Sequence, residues 1–381
     1  MKFVLFYHSF TSCWNHGNVH FLRGLARALI ERGHEVSVYE PEDGWSRSNA
    51  LRENGSAGVL DECARLVPGV DLHRYDLASL DLDAALDRAD VVIAHEWNDP
   101  ALIRRLGKRR MLGGRFLLIF HDTHHRAVTA PHELDRFALE PFDFVLVFGE
   151  VLREVYRRRG WGRRVITWHE AADAALFRPV RMPKDTDLIW IGNWGDGERD
   201  RELLCFLEAP AAAARVRVRL HGVRYPDDVY ARLRARRFEC RGWLPNHRVP
   251  EAFGAARFTM HVPRRPYVEA LPGIPTIRVF EALACGIPLI SAPWDDAEGL
   301  FPDNSYLKVK DGDEAASAMR LLMNDNVFAG EMAEIGRRAV LSRHTCAHRA
   351  DELLSLVAVQ AQSRGDVPAS VRPDCERVAV S

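Results

Sequence analysis

The chain has 381 residues, with 52 basic, 53 acidic and 16 histidine side chains, and its formal net charge at pH 7 is −1. This length favours two domains, with a single large α/β domain as the alternative, and the balanced charge excludes a global field that would attract nucleic acid or an anionic membrane. The seven cysteines are odd in number and form no C-x-x-C pair, as is typical of free thiols in a reducing compartment. We therefore expect a cytoplasmic enzyme that handles small molecules.

Residues 1–170 predict a first Rossmann-like domain. The run from Lys2 to Tyr7 is too short for a signal peptide or a membrane span and predicts a buried strand. Asn18 as N-cap and Gly33 as the stop delimit a helix with apolar residues at helical spacing. Further strands of this half are predicted at His34 to Tyr39, Asp90 to Ala94, Arg115 to Phe120, Phe144 to Phe148 and Arg164 to Trp168.

Residues 171–184 contain Pro179 and Pro183 and no long apolar stripe, so they predict a hinge. The alternation of short apolar runs and amphipathic segments then restarts over 185–345, which indicates parallel sheets covered by helices and an α/β class for both halves. A final helix is predicted over 346–363, and the polar stretch 364–381 predicts a disordered tail. Strands of the second half are predicted at Leu188 to Ile191, Val216 to Leu220, Phe238 to Arg241, Phe258 to Val262 and Pro288 to Ser291, and helices near 200–213, 228–236, 249–256, 276–285, 313–323 and 327–342.

The most informative stretch runs from Gly273 to Ile290, G-I-P-T-I-R-V-F-E-A-L-A-C-G-I-P-L-I. It resembles the donor-site helix of glycosyltransferase group 1 (family 4-like), whose fold is GT-B, and the run from Arg278 to Glu281 is most similar to the CgeB-like branch. A helix that begins near Ile274, Pro275 and Thr276 would present free backbone N–H groups and a positive dipole end to a diphosphate. The resemblance implies that Glu281 accepts hydrogen bonds from the ribose hydroxyls, with a surface glutamate as the alternative.

The chain departs from the family at one position of this motif. The E-x7-E pattern of the family has its first glutamate eight residues before the second, where this chain has Gly273. The carboxylate that contacts the sugar is therefore absent or is supplied by another residue, for which Glu269 is a candidate.

Other parts of the C-terminal half extend the resemblance. Gly192, Asn193 and Trp194 follow a predicted strand, and the glycine would let a phosphate approach the backbone. The resemblance implies that Arg199 and Arg201 help neutralise the leaving diphosphate, and Arg264 and Arg265, at the edge of the sheet where ligands bind, are expected to assist them. Trp243 and Leu244 occupy the position of the nucleobase pocket, although each of these side chains has a solvated or packing role as its alternative.

The N-terminal half is expected to hold the acceptor. Gly17 and Asn18 lie in the loop after the first strand, where the family places a glycine against donor and acceptor. His95, His121 and Asp122 follow predicted strands at the same edge, and the resemblance implies a catalytic role for His121, with a structural histidine as the alternative. Three histidines within residues 121–125 have neither the ligand spacing nor the family precedent of a metal site.

Together the resemblance implies a metal-independent, hexosyltransferase-like enzyme (EC 2.4) that moves a sugar from a nucleotide-diphosphate sugar such as a UDP-sugar to an unidentified acceptor with retention. It needs no cofactor beyond this co-substrate, and the last helix is expected to cross back to the N-terminal domain. A nucleotide-sugar epimerase or hydrolase and a non-catalytic nucleotide-sugar or glycan-binding protein stay open. An NAD-dependent oxidoreductase would need a G-x-G-x-x-G after the first strand, which is missing. The nucleobase, the sugar, the acceptor and the oligomeric state are not determined by the sequence.

Overall fold

A computed structural model describes residues 1–54 and 58–364. Apart from Arg364, which ends the last helix, the predicted tail over 364–381 lies outside the described residues. Among the described residues, no helix combines the length and the apolar character that a membrane crossing requires.

The first half forms a parallel sheet of seven strands in the order β3-β2-β1-β4-β5-β6-β7. Leu5 of the central strand stands opposite Val38 on one side and Ile93 on the other. The strand order reverses at β1 and β4, and the carboxyl ends of strands at such a reversal are where α/β sheets bind ligands. The strands are β1 Lys2–Phe6, β2 Glu35–Pro41, β3 Asp71–Tyr75, β4 Val91–His95, β5 Leu117–Asp122, β6 Phe144–Val147 and β7 Val165–Thr167.

Helices cover both faces of this sheet, and apolar side chains of β1, β4 and β5 alternate between two buried clusters, one on each face. Leu117 and Ile119 belong to one cluster, and Leu118 and Phe120 belong to the other. The helices are α1 Val19–Glu31, α2 Trp45–Asn54, α3 Gly58–Ala64, α4 Leu82–Ala85, α5 Pro100–Met111, α6 Arg126–Thr129, α7 Pro131–Leu134 and α8 Glu150–Arg159.

The second half forms a parallel sheet of six strands in the order β10-β9-β8-β11-β12-β13, with its own reversal at β8 and β11. The strands are β8 Thr186–Ile191, β9 Val218–His221, β10 Glu239–Cys240, β11 Ala256–His261, β12 Leu289–Ser291 and β13 Leu307–Lys308. The helices are α9 Asp200–Leu203, α10 Ala209–Ala214, α11 Asp227–Ala235, α12 Val249–Ala255, α13 Arg265–Glu269, α14 Ile277–Ala284, α15 Gly312–Asn324, α16 Asn326–Arg343 and α17 Cys346–Arg364. Two parallel sheets with helices on their faces confirm the predicted α/β class.

Three local predictions need correction. The sequence analysis did not predict β3 and β13, because β3 carries polar residues and β13 has only two residues. The helix predicted near 200–213 is interrupted by a π-helical turn over Leu204–Glu208, directly before Pro210, whose ring cannot donate a backbone hydrogen bond. The strand predicted to end at Phe120 continues to Asp122, so the polar residues at its end belong to the sheet.

The segment between β7 and β8 contains one short pairing, in which Ala172 bridges to Thr345 just before α17. The amide of Cys346 donates to the carbonyl of Ala172 at 2.9 Å. The last helix then lies against the first half of the chain, where Arg32 makes two hydrogen bonds to Asp351 at 2.7 and 2.8 Å. Helix α17 thus joins the end of the chain to the N-terminal sheet.

Candidate active site

The loop after β1, residues 12–18, contacts the second half of the chain at the carboxyl edges of both sheets. The side-chain amide of Asn193 donates to that of Asn15 at 2.5 Å, and Asn246 Nδ2 donates to the carbonyl of Gly17 at 3.0 Å. A Cβ atom at Gly17 would lie only 3.1 Å from Ile277 Cγ2, so this close approach requires a glycine. The two halves therefore meet around the residues predicted for donor and acceptor.

Arg199 is a buried cation in this region, with 9 % of its surface exposed. Its guanidinium donates to the carbonyls of Asn193 and Val262 and lies 5.2 Å from the ring centre of Trp190. Among the described residues no carboxylate forms an ion pair with it. Burial, followed by the charge of Arg264, lowers the pKa of Arg199 to about 10. A buried cation that is held by neutral groups beside a second cation is electrostatically suited to an anion.

Arg264 stands on the other side of the same turn. A Cβ atom at Gly195 would lie 3.2 Å from Arg264 Nε and 3.3 Å from Arg199 Nε, so both guanidinium groups face this turn. Arg264 also donates to Glu198 at 3.1 Å. The neighbouring Arg201 is exposed. The structure thus brings Arg199 and Arg264 together, at the carboxyl edge of the second sheet.

Helix α14 places Glu281 in the interior, with none of its surface exposed. Glu281 Oε1 lies 2.8 Å from His20 Nδ1 of helix α1, and Arg278 contacts the other carboxylate oxygen. Neither contact has the direction of a hydrogen bond, and within the described residues both carboxylate oxygens lack a hydrogen-bond donor. The charge of Arg278 offsets part of the cost of burying this carboxylate, and both of its oxygens remain able to accept hydrogen bonds.

The start of α14 is open to a ligand at its backbone. Thr276 occupies the N-cap position in an extended conformation, and its side chain makes no capping hydrogen bond. Pro275 and Ile274 precede it and are buried, and Ile274 lies close to Gly149 of the first half. The free N–H groups of the first turn therefore lie at the contact between the two halves.

Gly273 has no room for the glutamate of the family. Its φ is +86°, its amide donates to the carbonyl of Asp295 at 2.7 Å, and a Cβ atom would lie 2.6 Å from Glu298 Cγ. The carboxylate of Glu298 accepts a hydrogen bond from the amide of Glu150 at 2.8 Å and pairs with His169 at 2.6 Å. A carboxylate of another part of the chain thus fills the space beside Gly273, whereas Glu269 is exposed.

The turn after β8 is fixed by its own hydrogen bonds. The amide of Gly192 donates to the carbonyl of His221 at 2.9 Å, and the amide of Trp194 donates to the carbonyl of Val223 at 3.1 Å. Asn193 accepts from the amide of Val223 at 3.0 Å while its amide group reaches Asn15. These residues border the region that the two arginines face.

Trp243 and Leu244 are half-buried, on the second half of the chain. Trp243 packs beside Trp14 and Val223 in a small apolar cluster, and its indole nitrogen is buried without a hydrogen-bond partner among the described residues. Leu244 packs against the large core around α1 and α14. The structure therefore places Trp243 at the contact between the two halves, where an unpaired donor is available.

A cluster of histidines lines the carboxyl edge of the first sheet. Ring centres of neighbouring members lie 4.2 Å apart for His8 and His16, 5.2 Å for His8 and His95, and 5.3 Å for His95 and His121. His124 belongs to the same edge and contacts Trp97 at 4.9 Å. The structure thus brings the predicted His95 and His121 together with three further imidazoles.

Burial keeps these histidines neutral. It lowers the pKa of His8 and of His121 to about 3, and it is also the largest cause of the lowered pKa values of His16, His95 and His124. Both ring nitrogens of His121 lack a hydrogen-bond partner among the described residues. A neutral imidazole offers one donor and one acceptor, so these histidines present unpaired hydrogen-bonding groups, while the positive charge beside them belongs to Arg126, which lies 3.9 Å from the ring centre of Trp97.

Two predicted residues of the first half have other partners. Asn18 occupies the N-cap position of α1 without a capping hydrogen bond from its side chain, which instead donates to the carbonyl of Thr123 at 3.3 Å. Asp122 is the last residue of β5, and its carboxylate accepts from the hydroxyl of Tyr156 at 2.6 Å. Because strand residues alternate between faces, Asp122 points to the opposite face from His121, although both lie at the predicted edge.

Comparison with known proteins agrees with this arrangement. Residues 17–176 match the family described as Glycosyltransferase Family 4, and residues 199–355 match the family described as Glycosyl transferase-like. The chain is a group 1 glycosyltransferase. No curated protein matches its sequence.

Solved structures similar to this glycosyltransferase have the GT-B fold, which confirms the predicted architecture. Sucrose-phosphate synthase of Thermosynechococcus elongatus is 16% identical, with a TM-score of 0.64 over 95% of this chain and 100% of that chain. HepE of Anabaena in complex with UDP-glucose is 13% identical, with a TM-score of 0.64 over 94% and 100% of the two chains. T4 phage BGT in complex with UDP and Mn²⁺ is 13% identical, with a TM-score of 0.59 over 94% and 99%.

Three residues of the glycosyltransferase site were missed by the sequence analysis. His20 contacts Glu281, Asn246 contacts Gly17, and Glu298 fills the space beside Gly273. Each of these contacts joins residues that are far apart along the chain, and no local spacing indicates them. The missing glutamate at position 273 was the one available signal that a carboxylate from elsewhere could occupy that space.

Within residues 1–54 and 58–364 of the glycosyltransferase, no group of three or more histidine, cysteine, aspartate or glutamate side chains is arranged to hold a metal ion.

Proposed function

We propose that this glycosyltransferase transfers a sugar from a nucleoside-diphosphate sugar to an acceptor hydroxyl, with retention of configuration and without a metal ion. The observation that carries the proposal is the buried Arg199, which faces the same turn as Arg264 and has no ion-pair partner among the described residues. A diphosphate would supply the missing negative charge at this point. A planar guanidinium group can donate two parallel hydrogen bonds to phosphate oxygens, so arginine is well suited to bind a diphosphate.

In the proposed reaction the bond between the sugar C1 and the diphosphate oxygen breaks first. Charge grows on the diphosphate, where Arg199, Arg264 and the free N–H groups at the start of α14 stabilise it. The acceptor oxygen then bonds to C1 on the same face of the sugar, and its proton passes to the leaving diphosphate. Because the cations are part of the protein, the step requires no metal ion.

Glu281 is proposed to bind the ribose. Its two carboxylate oxygens are buried and lack hydrogen-bond donors among the described residues, and two vicinal hydroxyls would supply both. While the two halves are in contact, His20 Nδ1 lies 2.8 Å from the same carboxylate. Binding of the nucleotide therefore requires the two halves to move apart and His20 to move away from Glu281. The hinge predicted over 171–184 would permit this motion.

The histidine cluster is proposed to hold the acceptor. Neutral imidazoles with unpaired nitrogens hydrogen-bond hydroxyl groups in either direction, and both nitrogens of His121 are buried without a partner among the described residues. We therefore expect the acceptor to be a hydroxylated group that carries no charge at this contact. A role for His121 in the reaction itself stays a prediction.

A UDP-sugar is proposed as the first donor to test, since the similar HepE structure is described with UDP-glucose. T4 phage BGT is described with UDP and Mn²⁺, so metal independence must be measured directly. The unpaired cysteines of the sequence favour a cytoplasmic location.

The experiment incubates the purified chain with UDP-, GDP-, ADP- and dTDP-sugars in EDTA or in Mn²⁺, with and without a library of hydroxylated acceptors. The proposal expects release of one nucleoside diphosphate that requires an acceptor, is unaffected by EDTA and yields a product whose anomeric configuration, measured by NMR, matches the donor. Release without an acceptor would instead favour a hydrolase, and interconversion of the donor sugar would favour an epimerase. Tight binding without turnover would favour a binding protein.

A further inference from the structure

Two cysteines of the first half lie side by side where the two halves meet. Cys13 belongs to the loop over 12–18, and Cys63 belongs to helix α3; their exposed fractions are 4% and 0%. The two sulfur atoms approach consecutive residues of the opposite half, Asn246 and His247. The backbone amide of Asn246 donates to Cys13 Sγ at 3.2 Å. The proposed transfer reaction uses neither thiol.

Cys63 has the surroundings of an activated thiol. His247 Nδ1, on the opposite half, lies 3.7 Å from Cys63 Sγ, and His247 Nε2 lies 3.1 Å from Glu62 Oε2. A sulfur, an imidazole and a carboxylate that follow one another in this way form the arrangement in which a base activates a nucleophile and an acid orients the base. Arg248 contacts the same carboxylate at 3.0 Å and does not contact the sulfur.

The electrostatics agree with this division between the two thiols. The neighbouring Cys13 thiol, followed by the charge of Arg23 and the hydrogen bond of His247, lowers the pKa of Cys63. Burial raises the pKa of Cys13. These directions favour ionisation of Cys63 over ionisation of Cys13, and a thiolate is the reactive form of cysteine.

We propose that Cys63 is a peroxide-reactive thiol, activated by His247 and Glu62, and that Cys13 resolves its oxidised form to a disulfide. In the first step the Cys63 thiolate attacks one oxygen of hydrogen peroxide, the O–O bond breaks, and a sulfenic acid and hydroxide form. The hydroxide takes up the proton that Cys63 lost on ionisation and leaves as water. Cys13 then attacks the sulfur of Cys63, the S–O bond breaks, and the departing hydroxide leaves as water with the proton of Cys13.

The consequence is confined to the contact between the two halves. A disulfide removes the sulfur that accepts from the amide of Asn246 and draws Cys63 away from His247. Since His247 and Asn246 lie on the opposite half from both thiols, the reactive arrangement exists only while the halves are in contact. The site is independent of sugar transfer, so its test does not depend on the proposed function.

The test treats the full chain with substoichiometric hydrogen peroxide, blocks free thiols by alkylation and identifies linked peptides by mass spectrometry. We expect a Cys13–Cys63 disulfide to form before the exposed Cys205 is oxidised, while Cys285 and Cys346, whose thiol pKa values burial raises, stay reduced. The variant Cys13→Ser should stop at a Cys63 sulfenic acid that dimedone traps. If Cys205 is oxidised while Cys63 remains reduced, the proposal is overturned.

The variant His247→Ala tests the activating group. It should slow oxidation of Cys63 by about tenfold or more, whereas Arg248→Ala, the matched change at the neighbouring residue, should leave the rate within about twofold. If His247→Ala does not fold, Glu62→Gln replaces it and should slow the reaction in the same direction. Oxidation of the folded variant at the wild-type rate would overturn the role of His247.

Discussion

The two halves bring different kinds of buried side chains to the contact between them. The second half carries cations, with Arg199 and Arg264 facing one turn and Arg278 beside Glu281. The first half carries histidines whose burial keeps them neutral, with His8 and His121 titrating near 3. The comparison teaches that burial alone does not determine the chemistry of a site. Arginine stays charged when buried and is suited to an anion, whereas histidine loses its charge and offers hydrogen bonds.

The largest effect is expected on the cationic side. Arg199→Ala removes a buried guanidinium that would stabilise the leaving diphosphate, so kcat/KM should fall by about 10²–10³. Steady-state kinetics with the identified donor measure it. The control Arg201→Ala, an exposed arginine on the same short helix, should stay within about twofold of the wild type. A similar loss in both variants would contradict a specific role of Arg199.

A smaller effect is expected at the ribose contact. Glu281→Gln keeps the size of the side chain but removes its charge, and the loss of about 1.5–3 kcal/mol per hydrogen bond to a charged group predicts nucleotide binding weaker by about 10–100-fold. Isothermal calorimetry measures this loss. The exposed Glu269→Gln serves as control and should bind as the wild type does. Equal affinities of Glu281→Gln and Glu269→Gln would exclude the proposed contact.

The neutral state of His121 should be visible in the pH dependence of the unfolding free energy. The pKa of His121 is about 3 in the folded protein and about 6.5 when unfolded, so acid protonates only the unfolded form and stability is lost as pH falls below about 6.5. Between about pH 7.5 and about pH 5.5 the wild type should lose about 1.4 kcal/mol more unfolding free energy than His121→Gln. Denaturant unfolding of both proteins at both pH values measures this. Parallel losses would mean that His121 is charged in the folded protein.

The smallest effect is expected for the contact that closes the cleft. Asn15→Gly removes the acceptor of the Asn193 amide, and glycine tolerates the positive φ of 49° at this position. Because nucleotide binding requires the two halves to move apart, a net value of about 1 kcal/mol for one hydrogen bond between them predicts nucleotide affinity higher by about fivefold. Asn49→Gly, in an exposed part of α2, controls for the removal of an amide side chain and should leave the affinity unchanged.

Local periodicity predicted most of the strands, because most of them are short apolar runs, and it predicted the main helices of the second half. It did not indicate α2 and α5 of the first half. It could not place the end of β5, since His121 and Asp122 are polar although they continue the strand. Because the strand includes both residues, His121 and Asp122 point to opposite faces of the sheet, which the predicted strand end at Phe120 did not indicate. Pro210 was visible in the sequence as a cause for the π-helical turn that precedes it, whereas no sequence pattern indicated the two-residue strand β13.

The donor side of the site was predictable because its motif is contiguous from Gly273 to Ile290 and implied the roles of Arg278 and Glu281. The contacts between the two halves were not predictable from the sequence. His20 reaches Glu281, and Glu298 fills the space beside Gly273, only because the two sheets face each other. The histidine cluster was predicted in part, through His95 and His121. Its members His8 and His16 follow β1, whereas His95 and His121 lie at the ends of β4 and β5. Only the strand order of the sheet shows that these ends are neighbours.

The measurement that tests the central claim most directly is the thermal stability of the protein with UDP, GDP, ADP and dTDP, in EDTA, for the wild type and for Arg199→Ala. A ligand that binds only the folded protein raises its stability by RT ln(1 + [L]/Kd). The account predicts that one nucleoside diphosphate stabilises the wild type in EDTA, that the corresponding uncharged nucleoside does not, and that Arg199→Ala loses the effect. Stabilisation that requires added metal, or that persists in Arg199→Ala, would contradict a diphosphate site built from the arginines of the second half.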